Sequence, residues 1–550
     1  MKRYLSQIPL HQAISLLTST FSSPARCEKI PVELATGRIA IDPIYAPETI
    51  PRVRTATMDG IAVKSGDTGS AQDRHPCGLN DASLICTGQE VPGEYDAVVP
   101  SEEVVHEGPG QYQVRRPARQ GQNMRLPGEE VKQGRLILKP GHRITPSDIG
   151  ALLTYGISVI HVRSLIVGLI PTGDELIAGG ESVTADQVRE SNTAVIGALL
   201  MQAGICPIRY GIVPDDPEKI TEAIRTAVEA CDLVVVIAGS SAGSRDHTRE
   251  TIEEIGSILF HGIAIRPGRT MLCGTVENTP VIGLPGQPVA ALTAWREVVS
   301  PFLQYWGYIW PEQRECIART GEPITSDGGI DEFIPVSVVS ISGENIVFPR
   351  PRGSAGQMHA IRSNAILHIP AIKEGYQEGA MVMVRLTREY EPGREILIAG
   401  ISDALTDHLE VTFTCREHRV QVRSMSAMGA AALLCKGRCH AIMLMWSSLC
   451  RDGSILSLLR TGCQDPVVSV GIGSMDGDQM MLVFRDNGTT RDEITALKQF
   501  LASDIWKESG GLPQGYSTDG AGMCRDLLEP DSPGEKAPLP KAEKPEGVLS

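Results

Sequence analysis

Leu165-Ile-Val-Gly-Leu-Ile-Pro-Thr-Gly-Asp-Glu-Leu (165–176) passes from an unbroken apolar run straight into a Gly/Asp turn. An apolar run with no polar alternation suits a strand buried on both faces, and such strands belong to parallel sheets covered by helices. The residues that follow continue this pattern. Val195, Ile196, Leu199, Leu200 and Ala203 fall on one face of a helix that starts at Ser191 or Asn192. Ile208 to Val213 reads as the next strand. Asp216-Pro217 supplies an N-cap and a proline at the first helical position, and Ile220, Ala223, Ile224, Ala227 and Val228 form the buried stripe behind it. Asp232-Leu-Val-Val-Val-Ile-Ala-Gly-Ser and Val281-Ile-Gly-Leu-Pro-Gly are two further strands that run into small-residue loops. Strand–helix alternation of this kind predicts an α/β domain over about 163–308, with its ligand at the carboxyl ends of the strands.

Outward from this unit the texture changes. Residues 1–50 and 140–162 read as one helical domain, from the spacing between Pro9 and Leu17 and from the start signal at Pro146-Ser-Asp-Ile. Between them, 51–139 is rich in Gly and Pro and has short β-prone pieces, as expected of an inserted β-rich domain. Short β pieces return over 309–394. Ile396-Leu-Ile-Ala-Gly-Ile-Ser opens a second α/β stretch over 395–528, and the Pro/Glu/Lys-rich residues 529–550 read as a disordered tail.

The whole chain has 550 residues, of which 42% are hydrophobic and 21% charged, a composition that excludes a mostly disordered protein. Its 66 acidic and 51 basic residues leave a formal charge of -15, and aromatics are only 4%. Nucleic-acid binding needs clustered cations or stacking platforms, so neither duplex nor single-strand binding is expected. No apolar run reaches the roughly 18 residues that span a bilayer. The start, MKRYLSQIPLHQAISLL, reads as an amphipathic helix and not as a signal peptide. The 13 cysteines are scattered without a repeated C-x-x-C, and they read as reduced thiols of a cytoplasmic protein.

Four loops carry the chemistry. They are Pro171-Thr-Gly-Asp-Glu-Leu, Glu190-Ser-Asn-Thr, Ala238-Gly-Ser-Ser-Ala-Gly-Ser-Arg-Asp-His-Thr and Gly283-Leu-Pro-Gly-Gln-Pro. Small residues let backbone N–H groups approach an anion, and a helix start adds positive potential. Asp174, Glu175, Glu190 and Asp246 stand in these same loops. Carboxylates beside an anion site make sense when a hard divalent cation bridges them. Arg266-Pro-Gly-Arg269 offers two cations as oxyanion hooks.

Together these segments resemble the molybdopterin molybdenumtransferase family, the MoeA and gephyrin E-domain proteins. The resemblance lies in Thr55-Ala-Thr-Met-Asp-Gly-Ile-Ala, Thr87-Gly-Gln-Glu-Val-Pro-Gly-Glu-Tyr-Asp-Ala-Val-Val, Gly128-Glu-Glu-Val, Lys139-Pro-Gly-His-Arg-Ile and the four loops, in order over about residues 1–393. It implies a multidomain α/β fold: the helical domain with its β-rich insert, a central MogA-like parallel-sheet domain and a small β-barrel domain. The 395–528 stretch resembles a periplasmic-binding-protein-like domain, through Ile396-Leu-Ile-Ala-Gly-Ile-Ser-Asp and Ser426-Ala-Met-Gly-Ala-Ala-Ala-Leu-Leu, with Ser402, Ser426 and Gly429 at helix starts.

The activity implied is insertion of molybdate, or tungstate, into adenylated molybdopterin with Mg²⁺-dependent release of AMP. The alternative is a non-catalytic molybdopterin or molybdate carrier or scaffold. Carried over by position, Asp59, Asp246 and Glu175 take catalytic roles, and Asp246 with Glu190 would hold the metal. Thr87, Thr172, Gly173, Asp174, Asn192, Gly239, Ser240, Ser241, Gly243, Pro285 and Gly286 would bind the pterin and adenylate. Arg266, Arg269, Arg350, Arg352 and Ser354 would take molybdate. The resemblance also implies a homodimer and, as a partner, the molybdopterin adenylyltransferase. The chain departs from the family pattern at Ile61, Glu190, Ser244 and Gln287.

Overall fold

The apolar run at 165 forms the strand Ile166–Pro171 at the centre of the computed structural model, with Val167, Leu169 and Ile170 fully buried. The structure describes residues 6–503 apart from positions 109, 238–246, 312, 354–355, 415–417, 446, 449–452, 464, 466, 476–477 and 486–490; beyond 503 it describes 516–517, 521 and 524–526.

Four strands of the central sheet are parallel, in the order Cys206–Arg209, Ile166–Pro171, Leu233–Ile237, Thr279–Leu284. Two antiparallel strands, Leu272–Val276 and Ser257–His261, extend it on one side, so the sheet is mixed where the sequence predicts a parallel one. The cause is a hairpin at Glu277-Asn278. Both residues have positive φ, and Val276 pairs with Thr279 across the two-residue loop, the geometry that matches strand twist. The helix Asn192–Gln202 buries Ile196 and Leu200, and Pro217–Ala230 buries Ile220, Ile224, Ala227 and Val228. Asp216 caps the second helix by accepting from the amides of Glu218 and Lys219.

The expected helical domain contains less helix than its sequence predicts. Leu10–Thr20 does form a helix, but its Ala13 and Leu17 pack into the central core beside Trp295, Phe302 and Trp306. The rest is built mostly of paired strands, Cys27–Pro31 with Val159–Arg163 and Ile44–Tyr45 with Leu136–Leu138, plus the helix Pro146–Thr154 with its Thr145/Asp148 capping box. Those strands are too short for alternation to reveal them. The 51–139 region folds as small antiparallel sheets, one with Gly60–Val63 between Ser83–Ile85 and Ala97–Pro100.

Residues 315–386 close into a barrel. Asp331–Ile341 pairs with Glu344–Pro349 on one side and Ala365–Ile369 on the other, and the circuit is completed through Glu315–Thr320 and Met381–Leu386. Ile265–Arg266 of the central region adds to this barrel, parallel to Asp331–Glu332. The C-terminal stretch is one mixed sheet. Arg419–Ser424, Glu395–Gly400 and Ala441–Met445 are parallel; Asp478–Arg485 and Val467–Met475 continue antiparallel. It shares a continuous apolar core with the barrel, in which Val339, Ile341, Ile346 and Phe348 meet Leu397, Ala399 and Leu434. Residues 529–550, expected to be disordered, lie outside the described residues. Among the described residues no helix is long and apolar enough to cross a membrane.

Candidate functional site

The carboxyl ends of the central strands form the rim foreseen from the sequence. Thr172 is fully buried and its amide bonds to the Ile237 carbonyl at 2.9 Å, which carries the sheet pairing one residue into the loop. Gly173 follows with φ +149°, and a Cβ there would lie 2.9 Å from the Glu175 carboxylate oxygens. Glycine is therefore what lets Glu175 fold back over the loop. Asp174 accepts from the Asp215 amide at 3.2 Å. The Asp215 carboxyl is pushed up by burial and further by the charges of Glu175 and Asp174. Asp174, Glu175 and Asp215 thus make an acidic corner, and Asp215 has no signal in the sequence beyond its place before the Asp216 cap.

Asn192 donates to the Gly286 carbonyl at 2.8 Å, tying the helix start to the Leu284-Pro-Gly-Gln loop. Glu190, expected to hold metal, is engaged otherwise. Its side chain is 7% exposed and pairs with Arg209 at 3.3 Å. It accepts from the Thr193 amide at 2.8 Å and the Thr193 hydroxyl at 2.6 Å, so it caps the helix. The third loop, with Gly239, Ser240, Ser241, Gly243 and Asp246, lies outside the described residues, as does Ser354.

Beside this rim, where Ile265–Arg266 joins the barrel, a cavity of about 490 Å³ opens. Arg266, Arg269, Arg352 and Pro285, singled out from the sequence, all line it. So does Glu332, which the sequence hides inside an apolar strand. Glu332 is only 2% exposed. One of its oxygens lies 3.2 Å from the Arg352 guanidinium and 3.9 Å from that of Arg266, and the other accepts from the Ser326 hydroxyl at 2.6 Å. Arg352 also donates to the Thr325 carbonyl, and Arg266 pairs with Asp327 at 2.6 Å. Arg269 has no ion pair among the described residues. Three guanidiniums, against Glu332 and Asp327 as the acidic partners, leave a positive excess at the cavity wall. A tetrahedral dianion is the ligand such a wall suits.

Arg350 does not belong to this wall. It is 9% exposed and its donors go to the Ser337 hydroxyl at 2.7 Å and the carbonyls of Val422 and Arg362 at 3.0 and 3.1 Å. Buried, absent from the cavity lining, and with each of its three side-chain nitrogens bonded to an acceptor elsewhere, it leaves the molybdate set.

In the 51–139 region, Asp59 and Thr87 come together. One Asp59 oxygen accepts from the Thr87 amide at 2.7 Å and from its hydroxyl at 3.0 Å. These bonds, the backbone amide's first, hold the Asp59 carboxyl below the ordinary aspartate value. Gly60 is required beside it, because a Cβ would lie 2.0 Å from the Val99 carbonyl oxygen.

Among the described residues no cluster of three or more His, Cys, Asp or Glu has metal-site geometry. The acidic corner offers only oxygen donors, the type a hard cation takes, and its like charges disfavour ionisation of Asp215.

Three family models match in chain order: the MoeA N-terminal region (domain I and II) over 8–156, a probable molybdopterin binding domain over 168–305, and the MoeA C-terminal region (domain IV) over 318–387. A molybdopterin biosynthesis protein of Methanocaldococcus jannaschii is 31% identical over 410 residues, 70% of this chain and 100% of that one. The molybdopterin molybdenumtransferase of Haemophilus influenzae is 30% identical over 310 residues, 54% of this chain and 77% of that one. The crystal structure of a molybdopterin biosynthesis MoeA protein from Pyrococcus horikoshii has a TM-score of 0.58 at 30% identity and covers 70% of this chain and 100% of its own. Matches over most of the first 390 residues, in sequence and in fold, place the chain in the molybdopterin molybdenumtransferase (MoeA) family.

Proposed function

We propose that the chain is a molybdopterin molybdenumtransferase that inserts molybdate, or the equally tetrahedral tungstate, into adenylated molybdopterin and releases AMP. The observation that carries this reading is the cavity lined by Arg266, Arg269 and Arg352, with Glu332 paired to Arg266 and Arg352, beside the rim loops. A metal oxyanion would sit among the guanidiniums, oriented by Glu332 through Arg266 and Arg352. The pterin phosphate and adenylate would lie along the rim, against the loops that hold Gly173, Pro285 and Gly286, with the fully buried Thr172 behind them and Asn192 tying two of the loops together. Gly239, Ser240, Ser241 and Gly243 complete that cradle in this reading.

Cleavage of a phosphoanhydride needs charge neutralisation and positioning more than a covalent nucleophile. Magnesium, when bound, would supply the neutralisation; in this reading Asp174, Glu175 and Asp215 would offer it carboxylate oxygens, with Asp246 as the fourth candidate. Asp59, hydrogen-bonded by the Thr87 amide and hydroxyl, would reach the cleft of a homodimer from the 51–139 region. The molybdopterin adenylyltransferase is the partner that would deliver the substrate. A periplasmic-binding-protein-like origin for residues 395–528 fits their parallel strands at 395–400, 419–424 and 441–445. Ser426, expected at an anion site there, accepts from the Gly429 amide and caps its own helix.

The test is AMP release from adenylated molybdopterin by the purified full chain. Release that requires both molybdate and Mg²⁺ supports the reading. Tight pterin binding without release would instead support a carrier, and release without molybdate a nucleotide hydrolase.

A further inference from the structure

The segment that follows the barrel strand Glu344–Pro349 connects the cavity to the C-terminal sheet. Arg352 and Gly353 line the cavity. Two residues earlier, Arg350 is buried at the junction of three elements. Its Nε donates to Ser337, on the same strand that carries Glu332. Its Nη1 donates to the Val422 carbonyl of the C-terminal sheet, and its Nη2 to the Arg362 carbonyl at the end of the helix Gln357–Arg362. The Arg350 amide bonds to the Pro335 carbonyl at 2.9 Å, and Pro335 lines the cavity too.

The C-terminal sheet holds this segment at two further points. Arg423 donates to the Pro349 carbonyl at 2.8 Å, pairs with Glu322 at 2.7 Å, and lies over the Phe348 ring at 5.1 Å. Arg362 pairs with Asp407 at 2.8 Å, on the helix Ala404–Thr414. Burial and the neighbouring guanidiniums of Arg423 and Arg362 push the Arg350 pKa down to about 10, so it is still charged near neutrality. A buried, charged group with three different acceptors fixes all three relative to one another, because losing any one leaves a desolvated donor.

We infer that Arg350 is a positioning residue for the oxyanion cavity, and that through it the C-terminal sheet sets the place of Arg352. This rests on the reading of the cavity as the molybdate site. The C-terminal sheet then contributes to molybdate affinity without touching the anion. Phe348, Pro349, Arg350 and Arg362 are thus held from that side by residues beyond 394.

The test is equilibrium dialysis of molybdate against the full chain, with the KM for adenylated molybdopterin measured in parallel. Wild type, Arg350→Met and Arg350→Lys are compared after circular dichroism shows that each is folded. Arg350→Met removes all three bonds; it should weaken molybdate binding by about tenfold or more and leave the pterin KM unchanged, because one guanidinium of the cavity wall loses its geometry. Arg350→Lys keeps the charge but cannot reach three acceptors at once, and should fall between the two. If Arg350→Met does not fold, weakened binding in folded Arg350→Lys supports the inference. Wild-type molybdate affinity in either folded variant overturns it, as does an equal rise in both constants. Failure of the wild-type chain itself to bind molybdate removes the reading of the cavity, and this inference with it.

Discussion

Replacing Glu190 separates two roles that the sequence alone assigns to it without distinction. As a metal ligand, its loss should abolish the response to Mg²⁺. As the structure places it, the loss should appear in stability. Glu190 accepts from the Thr193 amide and hydroxyl and pairs with Arg209, whose side chain is 51% exposed. Losing a helix N-cap costs about 1 kcal/mol. The charge-assisted bond to the Thr193 hydroxyl adds about 1 kcal/mol, and the half-exposed ion pair no more than about 0.5 kcal/mol. Glu190→Ala should therefore destabilise the central domain by about 2–3 kcal/mol, which at about 2–4 °C per kcal/mol lowers its melting by about 5–10 °C. Glu190→Gln keeps an acceptor for the Thr193 amide and should lose about half as much. Differential scanning calorimetry of the full chain, with and without Mg²⁺, reads both. The reasoning fails if Glu190→Ala melts with wild type, or if Glu190→Gln keeps wild-type stability while losing its Mg²⁺ response.

Further outcomes follow from other groups. The Thr87 backbone amide lowers the Asp59 pKa most and the Thr87 hydroxyl lowers it further; Thr87→Val removes only the hydroxyl bond, so the Asp59 pKa should rise part of the way toward 3.8, visible by NMR titration. A depressed carboxylate pKa gives a contribution that is present above the unfolded value and lost as pH falls through the folded one, so the acid limb of activity should move to higher pH in this variant. An unmoved limb would take Asp59 out of the reaction. Glu332→Ala should raise the molybdate requirement several-fold, because Arg266 and Arg352 lose the carboxylate between them; an unchanged requirement would separate Glu332 from oxyanion binding. Burial holds His440 down at about 4, against an ordinary 6.5. The unfolded chain therefore binds a proton that the folded one refuses between those values, and acid should destabilise the C-terminal sheet by about 3 kcal/mol as pH falls from 6.5 to 4. His440→Gln should flatten that dependence in acid melting curves; an identical acid profile would exclude His440 as its source.

The parts of the fold that sequence reading recovers are those where one local pattern settles the outcome. The apolar runs at 165 and 233 can only be buried strands, and Asp216-Pro217 starts a helix by cap chemistry alone. The Glu277-Asn278 turn is hidden because neither residue is glycine, though both take positive φ. The paired strands at 27–31 and 159–163 lie more than 120 residues apart, and only tertiary pairing brings them together. At the candidate site, Arg266, Arg269 and Pro285 line one cavity. Glu332 is missed because the pair Asp331-Glu332 at the start of an apolar strand reads as a solvated strand end. Arg350 and Arg352 look alike in sequence; what separates them is burial, which follows from how the C-terminal sheet packs on the barrel.

The most direct measurement is AMP release from adenylated molybdopterin by the full chain, followed with and without molybdate, alongside Arg269→Ala and Arg352→Ala. Release that depends on molybdate, with both substitutions demanding more of the anion, is the expected result. Release that ignores molybdate, or arginine variants with wild-type molybdate dependence, would contradict the assignment of the cavity and of the reaction.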